Sequence, residues 1–202
     1  MTDQSRRERK KDETRTRIVT VAMELFEKQG FDGTTMEQIA EVADVAKGTL
    51  YNYFPVKEAI ISAFMRQSAT KAIPDVERLL QNAADTRARL TIMFTKIAEW
   101  QIPHRDLLEH YLGYRFSNML SSFRNPEQRS GFDRNLAIII EHGQQTGDVR
   151  SDLPLPLMVG YLQSGYLTVI LQWLAHDNVD LTESFTQMVD MFLSGVTTGQ
   201  KE

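Results

Sequence analysis

Apolar residues recur every three to four positions along this chain, and no stretch alternates apolar with polar. A period near 3.6 puts apolar side chains on one face of a helix, whereas a half-buried strand needs a period of two. The chain is therefore expected to be all-α. Ile18, Val21, Ala22, Leu25 and Phe26 form one face of a first helix, which Gly30 stops, with Gly33 in the loop beyond. Thr35 opens a second helix, and Gln38 stands where a capping box needs it. Met36, Ile39, Ala40 and Ala43 give that helix its buried face. A short connection at Asp44-Val45 leads to a third helix of two turns, which ends at Tyr53-Phe54 ahead of Pro55. Further helices are predicted from Lys57 with a break or kink at Pro74, over 86–101, over 104–123, from Pro126 to near Gly147, and over 155–175 and 181–196.

Charge is unevenly placed. The net charge is −4, yet residues 1–17 carry three more basic than acidic side chains. A basic arm on an acidic body suits local contact with a polyanion, and it equally suits a solvated tail. Residues 1–13 are expected to be a flexible arm. With no cysteine there are no disulfides or thiolate metal sites, which fits a reducing cytoplasm. His104, His110, His142 and His176 lack the helical spacing of a zinc site, so neither metal nor cofactor is expected. No apolar segment follows the basic start, so no signal peptide is expected.

From Leu153 to Ala175 no residue is charged. That length could span a bilayer, but Pro154, Pro156, Gln163, Ser164, Thr168 and Gln172 interrupt it, and its flanks are Asp152 and Asp177. A buried soluble helix is the better reading, and a second subunit is an economical source of the neighbours it needs.

The segment Thr35 to Phe54 suits a helix-turn-helix, in which one short helix braces and the next enters the major groove. On the third helix Val45, Leu50 and Phe54 can face inward, leaving Lys47, Thr49, Tyr51 and Tyr53 to face DNA, with Asn52 beside them. Lysine and hydroxyl groups are donors suited to phosphate. Lys47 fits a guanine contact or a phosphate contact equally well, and the Ala46 methyl could meet a thymine methyl. Gly48 costs about 1 kcal/mol in a helix interior, which close approach of DNA would explain. Two ordinary amphipathic helices with surface tyrosines would show the same periodicity.

The combination of residues is more specific. Ile18 through Phe26, Gly30, Thr35, Ile39-Ala40, Ala43, Val45, Lys47-Gly48-Thr49-Leu50-Tyr51, Tyr53-Phe54 and Lys57-Glu58 together resemble the tetracycline-repressor (TetR) family. The resemblance is strong over residues 14–60. Beyond them it rests on length, helical character and the turn Gly147-Asp148-Val149-Arg150. It implies a DNA-binding domain at 14–60 and a ligand-binding and dimerisation domain at 61–202. It also implies a homodimer on a pseudo-palindromic operator, and a small molecule that releases the DNA. Thr35 and Lys57 would touch phosphate, and the last two helices would pair across the dimer through Tyr161, Gly165, Val169, Trp173, Phe185, Met188, Val189 and Phe192. The sequence departs from the family at Ala46 and Val56, which cannot cap, and at Asp44, where glycine is common.

Aromatic and methionine residues are dense from 93 to 123. Met93, Ile97, Trp100, Tyr111, Tyr114, Arg115, Asn118, Met119 and Phe123, with Tyr166 from a later helix, are candidates to line a site for a hydrophobic or amphipathic inducer. Core packing is the plainer account of any one of them. No glycine-rich phosphate loop, Gly-x-Ser-x-Gly or metal-ligand spacing supports an enzyme. Two other readings keep the fold: a protein that acts chiefly on another protein, and an activator in place of a repressor.

Overall fold

The structure is a computed structural model that describes residues 3–118 and 130–196. Every regular element among them is helical: α1 (Asp3–Gln29), α2 (Met36–Val42), α3 (Lys47–Tyr53), α4 (Lys57–Lys71), α5 (Ile73–Asn82), α6 (Thr86–Gln101), a 3-10 turn (Ile102–His104), α7 (Arg105–Ser117), α8 (Phe132–Thr146), α9 (Leu155–Ala175) and α10 (Leu181–Val196). Pro74 breaks the chain between α4 and α5, and because it sits in the first turn of α5 its missing N–H costs nothing. The predicted start at Pro126, and the stretch beyond Asn118 of the helix predicted over 104–123, lie outside the described residues.

Residues 3–13 are not a flexible arm but the first turns of α1. No glycine or proline interrupts the chain before Gly30, and arginine, lysine and glutamate are good helix formers. An Arg9–Glu13 pair at 3.4 Å, one turn apart on the same face, stabilises the helix slightly.

The chain forms two compact units. One ends at Gln67 and takes in the segment beginning at Asp106; the other runs from Ser68 to Arg105 and resumes at Ser130. The first unit thus runs past residue 60 and takes in α7. The physical reason is a contact that sequence distance hides: His110 of α7 stacks on Phe31, with ring centroids 4.0 Å apart.

In the first unit Ile18, Ala22, Phe26, Ile39, Ala43, Leu50, Phe54, Ile60 and Ile61 make a core with almost no exposed surface. In the second unit α10 packs on α6 and α9, and α8 packs on α5, α6 and α9. The turn after α8 ties three helices together. Gly147 ends α8 with φ +85, a left-handed value that favours glycine. The Asp148 carboxylate then accepts the Thr86 N–H at 2.7 Å and the Thr146 hydroxyl at 2.7 Å, satisfying a first-turn donor of α6. Val149 is buried, and the Arg150 N–H donates to the last carbonyl of α10, Val196 O, at 2.8 Å. Gly143 allows this closeness, since a Cβ there would run into the Thr86 hydroxyl and lie 2.7 Å from a Val149 methyl. Burial pushes the Asp148 carboxyl up, but the Thr86 N–H and the Thr146 and Thr86 hydroxyls outweigh it and hold the group below its ordinary value.

The predicted dimer residues divide. Trp173, Phe185, Met188 and Val189 are buried within their own unit, so they cannot be presented to a second chain. Phe185 lies in a cluster of rings with Phe94 at 5.1 Å and Tyr166 at 5.6 Å. Gly165, Val169 and Phe192 are partly exposed, and Tyr161 is well exposed. The outward face of α9 carries Leu157, Tyr161, Ser164, Thr168 and Leu171, and Met191 stands out from α10. The reason is periodicity: both helices carry two apolar stripes, and the one that packs inside could not be told from the other in one dimension.

Candidate functional site

α2 and α3 are held where a helix-turn-helix needs them by a few local devices. The Thr35 hydroxyl accepts the Gln38 N–H at 3.2 Å, while the Gln38 side chain accepts the Thr35 N–H at 2.9 Å, the capping box predicted from sequence. Asp44 makes the turn with φ +50, a left-handed conformation that aspartate tolerates better than most residues. α3 begins without a side-chain cap, because Ala46 has none to offer. Its hold on the unit is Leu50, fully buried, with Phe54 just beyond its end.

The opposite side of α3 is open. Ala46, Lys47, Gly48, Tyr51 and Asn52 are exposed, Thr49 and Tyr53 are half-buried, and Thr35 is exposed at the start of α2. A Cβ on Gly48 would meet nothing within 4 Å, so no neighbour in the chain requires glycine there. Lys47 Nζ lies 3.7 Å from Glu37, with both side chains largely in water. Such a pair contributes little, so the lysine can readily turn toward another anion.

Lys57 is placed differently from the expectation that it simply meets phosphate. Its Nζ donates to Phe31 O at 2.6 Å and Thr34 O at 2.7 Å, and sits 4.2 Å from the centre of the Phe31 ring. Two of its three N–H groups are thus occupied within the α1–α2 loop. Gln29 reaches the same loop, donating to Gly33 O at 2.9 Å and approaching Thr34 Oγ1 and the Gln38 side chain. Gln29, Phe31, Thr34 and His110 frame α2 and α3, and sequence reasoning missed them. A buried Thr34 hydroxyl bonded to Gly30 O has no signature in periodicity.

The candidate inducer residues are shared between the two units. Met93, Ile97, Trp100 and Tyr166 belong to the second unit, whereas Tyr111, Tyr114, Arg115 and Asn118 belong to the first. Met119 and Phe123 lie outside the described residues. In the second unit the centre is a ring cluster. Tyr166 stacks on Phe185 and lies 4.9 Å from Phe132 and 6.2 Å from Phe94. Gln101, which the sequence pattern does not single out, donates to the Tyr166 hydroxyl at 2.5 Å. Its Oε1 is buried without a hydrogen-bond partner. Turning the amide over would only transfer the deficit to Nε2. In the first unit Arg66 is half-buried; burial and then the like charges of Arg15 and Arg115 lower its pKa, with Tyr111 and Tyr114 acting the other way.

Residues 18–64 match the family described as bacterial regulatory proteins, tetR family. Over these residues the chain is a TetR-family protein. That match marks the chain as a DNA-binding transcriptional regulator of this type. The likeness to relatives extends beyond the matched segment. The Fatty acid metabolism regulator protein of Bacillus subtilis is 23% identical over 181 residues, covering 89% of this chain and 93% of that one. The HTH-type transcriptional regulator RutR of Escherichia coli is 50% identical over 50 residues, which are 25% of this chain and 24% of that one. Among solved structures, FadR of Thermus thermophilus, a TetR-family repressor in complex with lauroyl-CoA, superposes with a TM-score of 0.75. It is 29% identical, covering 92% of this chain and 96% of that one. No helix of the described residues is long and apolar enough to cross a membrane, which removes the bilayer reading of 153–175.

Proposed function

We propose that this TetR-family protein binds its operator as a homodimer and is released from it by a long-chain acyl-CoA. The observation that carries the ligand class is the likeness, over nearly the whole chain, to a repressor solved with lauroyl-CoA. One feature of this chain supports it. The interior of α6, α8, α9 and α10 is rich in rings, with two buried amides, Gln101 and Asn135, each with an oxygen short of a partner. An apolar site with few polar groups suits an acyl chain ending in a polar function.

For DNA, the reading assigns Ala46, Lys47, Gly48, Thr49, Tyr51, Asn52 and Tyr53 to the major groove and its flanking phosphates, with Thr35 on the backbone. The exposed, uncapped face of α3 supports this. For assembly, the outward stripe of Leu157, Tyr161 and Leu171 on α9 with Met191 on α10 replaces the inner residues as the dimer face.

Lauroyl-CoA titrated into the free protein and into its complex with a selected operator duplex tests the ligand. Reciprocity requires the two affinities to differ by the factor by which the ligand weakens DNA binding, commonly about 5–150-fold. Equal affinities, or no binding, would refute acyl-CoA as the releasing ligand. Trp100→Ala is expected to weaken lauroyl-CoA while sparing operator affinity.

A further inference from the structure

We infer that His110 is a positioning residue for DNA binding, acting through Phe31 on the loop that sets α2 and α3. The inference rests on the DNA-binding reading of α2 and α3, and gives a reason why α7, far away in sequence, belongs to that unit.

Phe31 is the centre of the arrangement. It is buried, and its ring meets the Phe26 ring at 5.1 Å, the His110 ring at 4.0 Å in a stacked geometry, and the Lys57 ammonium at 4.2 Å. The same ammonium donates to the carbonyls of Phe31 and Thr34. Between those carbonyls lie Asp32 and Gly33, and directly after them comes Thr35, the cap of α2. Ring, ammonium and carbonyls thus fix both ends of a four-residue loop whose exit is the first DNA-facing residue. The floor of this arrangement is His110, which comes from α7. Asp32 Oδ1 lies 3.8 Å from His110 Nε2, but it is almost fully in water and contributes little. The ring stack therefore holds His110 to the loop more than this contact does.

A residue that grips DNA and a residue that positions the grip behave differently when removed. Losing a phosphate contact flattens the dependence of affinity on salt by about one unit in slope. Losing a positioning contact lowers affinity while leaving the slope alone, because no counterion release is lost.

The test uses the full chain and a duplex selected by the unmutated protein from a randomised pool, with affinity measured across a salt series. His110→Ala is expected to weaken binding about three- to tenfold, the range of one aromatic contact, with an unchanged slope. His110→Phe keeps a ring against Phe31 and is expected to bind within about twofold of the unmutated protein. Lys57→Met keeps the stem and removes the ammonium; it is expected to weaken binding with the slope unchanged. Unaltered affinity in His110→Ala overturns the inference. So does a failure of His110→Phe to recover affinity, or a slope reduced by about one unit in either His110→Ala or Lys57→Met, which would make that side chain a phosphate contact. Should His110→Ala not fold, His110→Phe and His110→Leu decide the matter, since the ring is expected to be tolerated and the branched chain is not. If the unmutated protein selects no duplex, the DNA-binding reading itself fails, and that result is distinct from any of these.

Discussion

α3 and α9 make a useful contrast. α3 has seven residues, one of them buried, and no cap; α9 has twenty-one, with Met158, Val159, Leu162, Ile170 and Trp173 buried. A helix as short as α3 does not persist alone in water, so its existence depends on Leu50 and on the packing of α2. Its working face is polar and therefore announces itself. The outward face of α9 is uncharged and partly apolar, so nothing in its composition separates it from the inward face. A short helix with one anchor has an unambiguous outside, whereas a long helix with apolar residues nearly all round does not.

The sharpest way to break that contrast is to place a charge on each face of the C-terminal pair. Val189→Glu puts a carboxylate at a position with no exposed surface, at a cost of several kcal/mol, and is expected to give insoluble or unfolded protein. Tyr161→Glu falls on the outward stripe and is expected to leave a folded chain with its helical circular dichroism intact, but monomeric by sedimentation. A folded, monomeric Val189→Glu would return the dimer face to the inner stripe.

The same division operates within α3. Leu50→Ala is expected to cost about 2–5 kcal/mol of stability, seen as a lowered denaturation midpoint, and to abolish DNA binding with it. Tyr51→Ala removes an exposed ring and is expected to change stability by less than about 0.5 kcal/mol while weakening operator binding. If both variants lose stability alike, the tyrosine is a packing residue and the working face has been assigned wrongly.

The turn after α8 predicts a pH effect. The Asp148 carboxyl has a folded pKa below its ordinary value, so the charged form is the one that folding favours. The stabilisation is present above that ordinary value and is lost as pH falls through the lower, folded one. Asp148→Asn is expected to lower stability by about 1–2 kcal/mol at neutral pH, the scale of hydrogen bonds to a charged acceptor. The loss relative to the unmutated protein should shrink under acid. A loss that persists unchanged in acid would show that the charge is not what the turn uses.

The smallest expected effect is a gain. Ala46→Ser supplies the cap that α3 lacks and is expected to raise stability by about 0.5–1 kcal/mol, read from thermal denaturation. Operator affinity measured on the same variant asks whether the Ala46 methyl meets a base, because serine would then weaken one position of the site and not the others.

Much of this was legible in one dimension because it depends on neighbours in the chain. The capping box at Thr35 and Gln38, the break at Pro74, and the spans of α6, α9 and α10 follow from hydrogen bonds and apolar repeats within a few residues. The exposed face of α3 follows in the same way, since seven residues fix which side chains oppose Leu50. What reading along the chain could not give were contacts between residues far apart in it. His110 meets Phe31 across almost eighty positions, and Asp148 caps Thr86 across sixty-two. Phe185 turns inward although its pattern fits either side of α10. Periodicity determines that a helix has an apolar face, because the backbone repeat is intrinsic. It does not determine what covers that face, because the covering group is chosen by packing among all the helices at once.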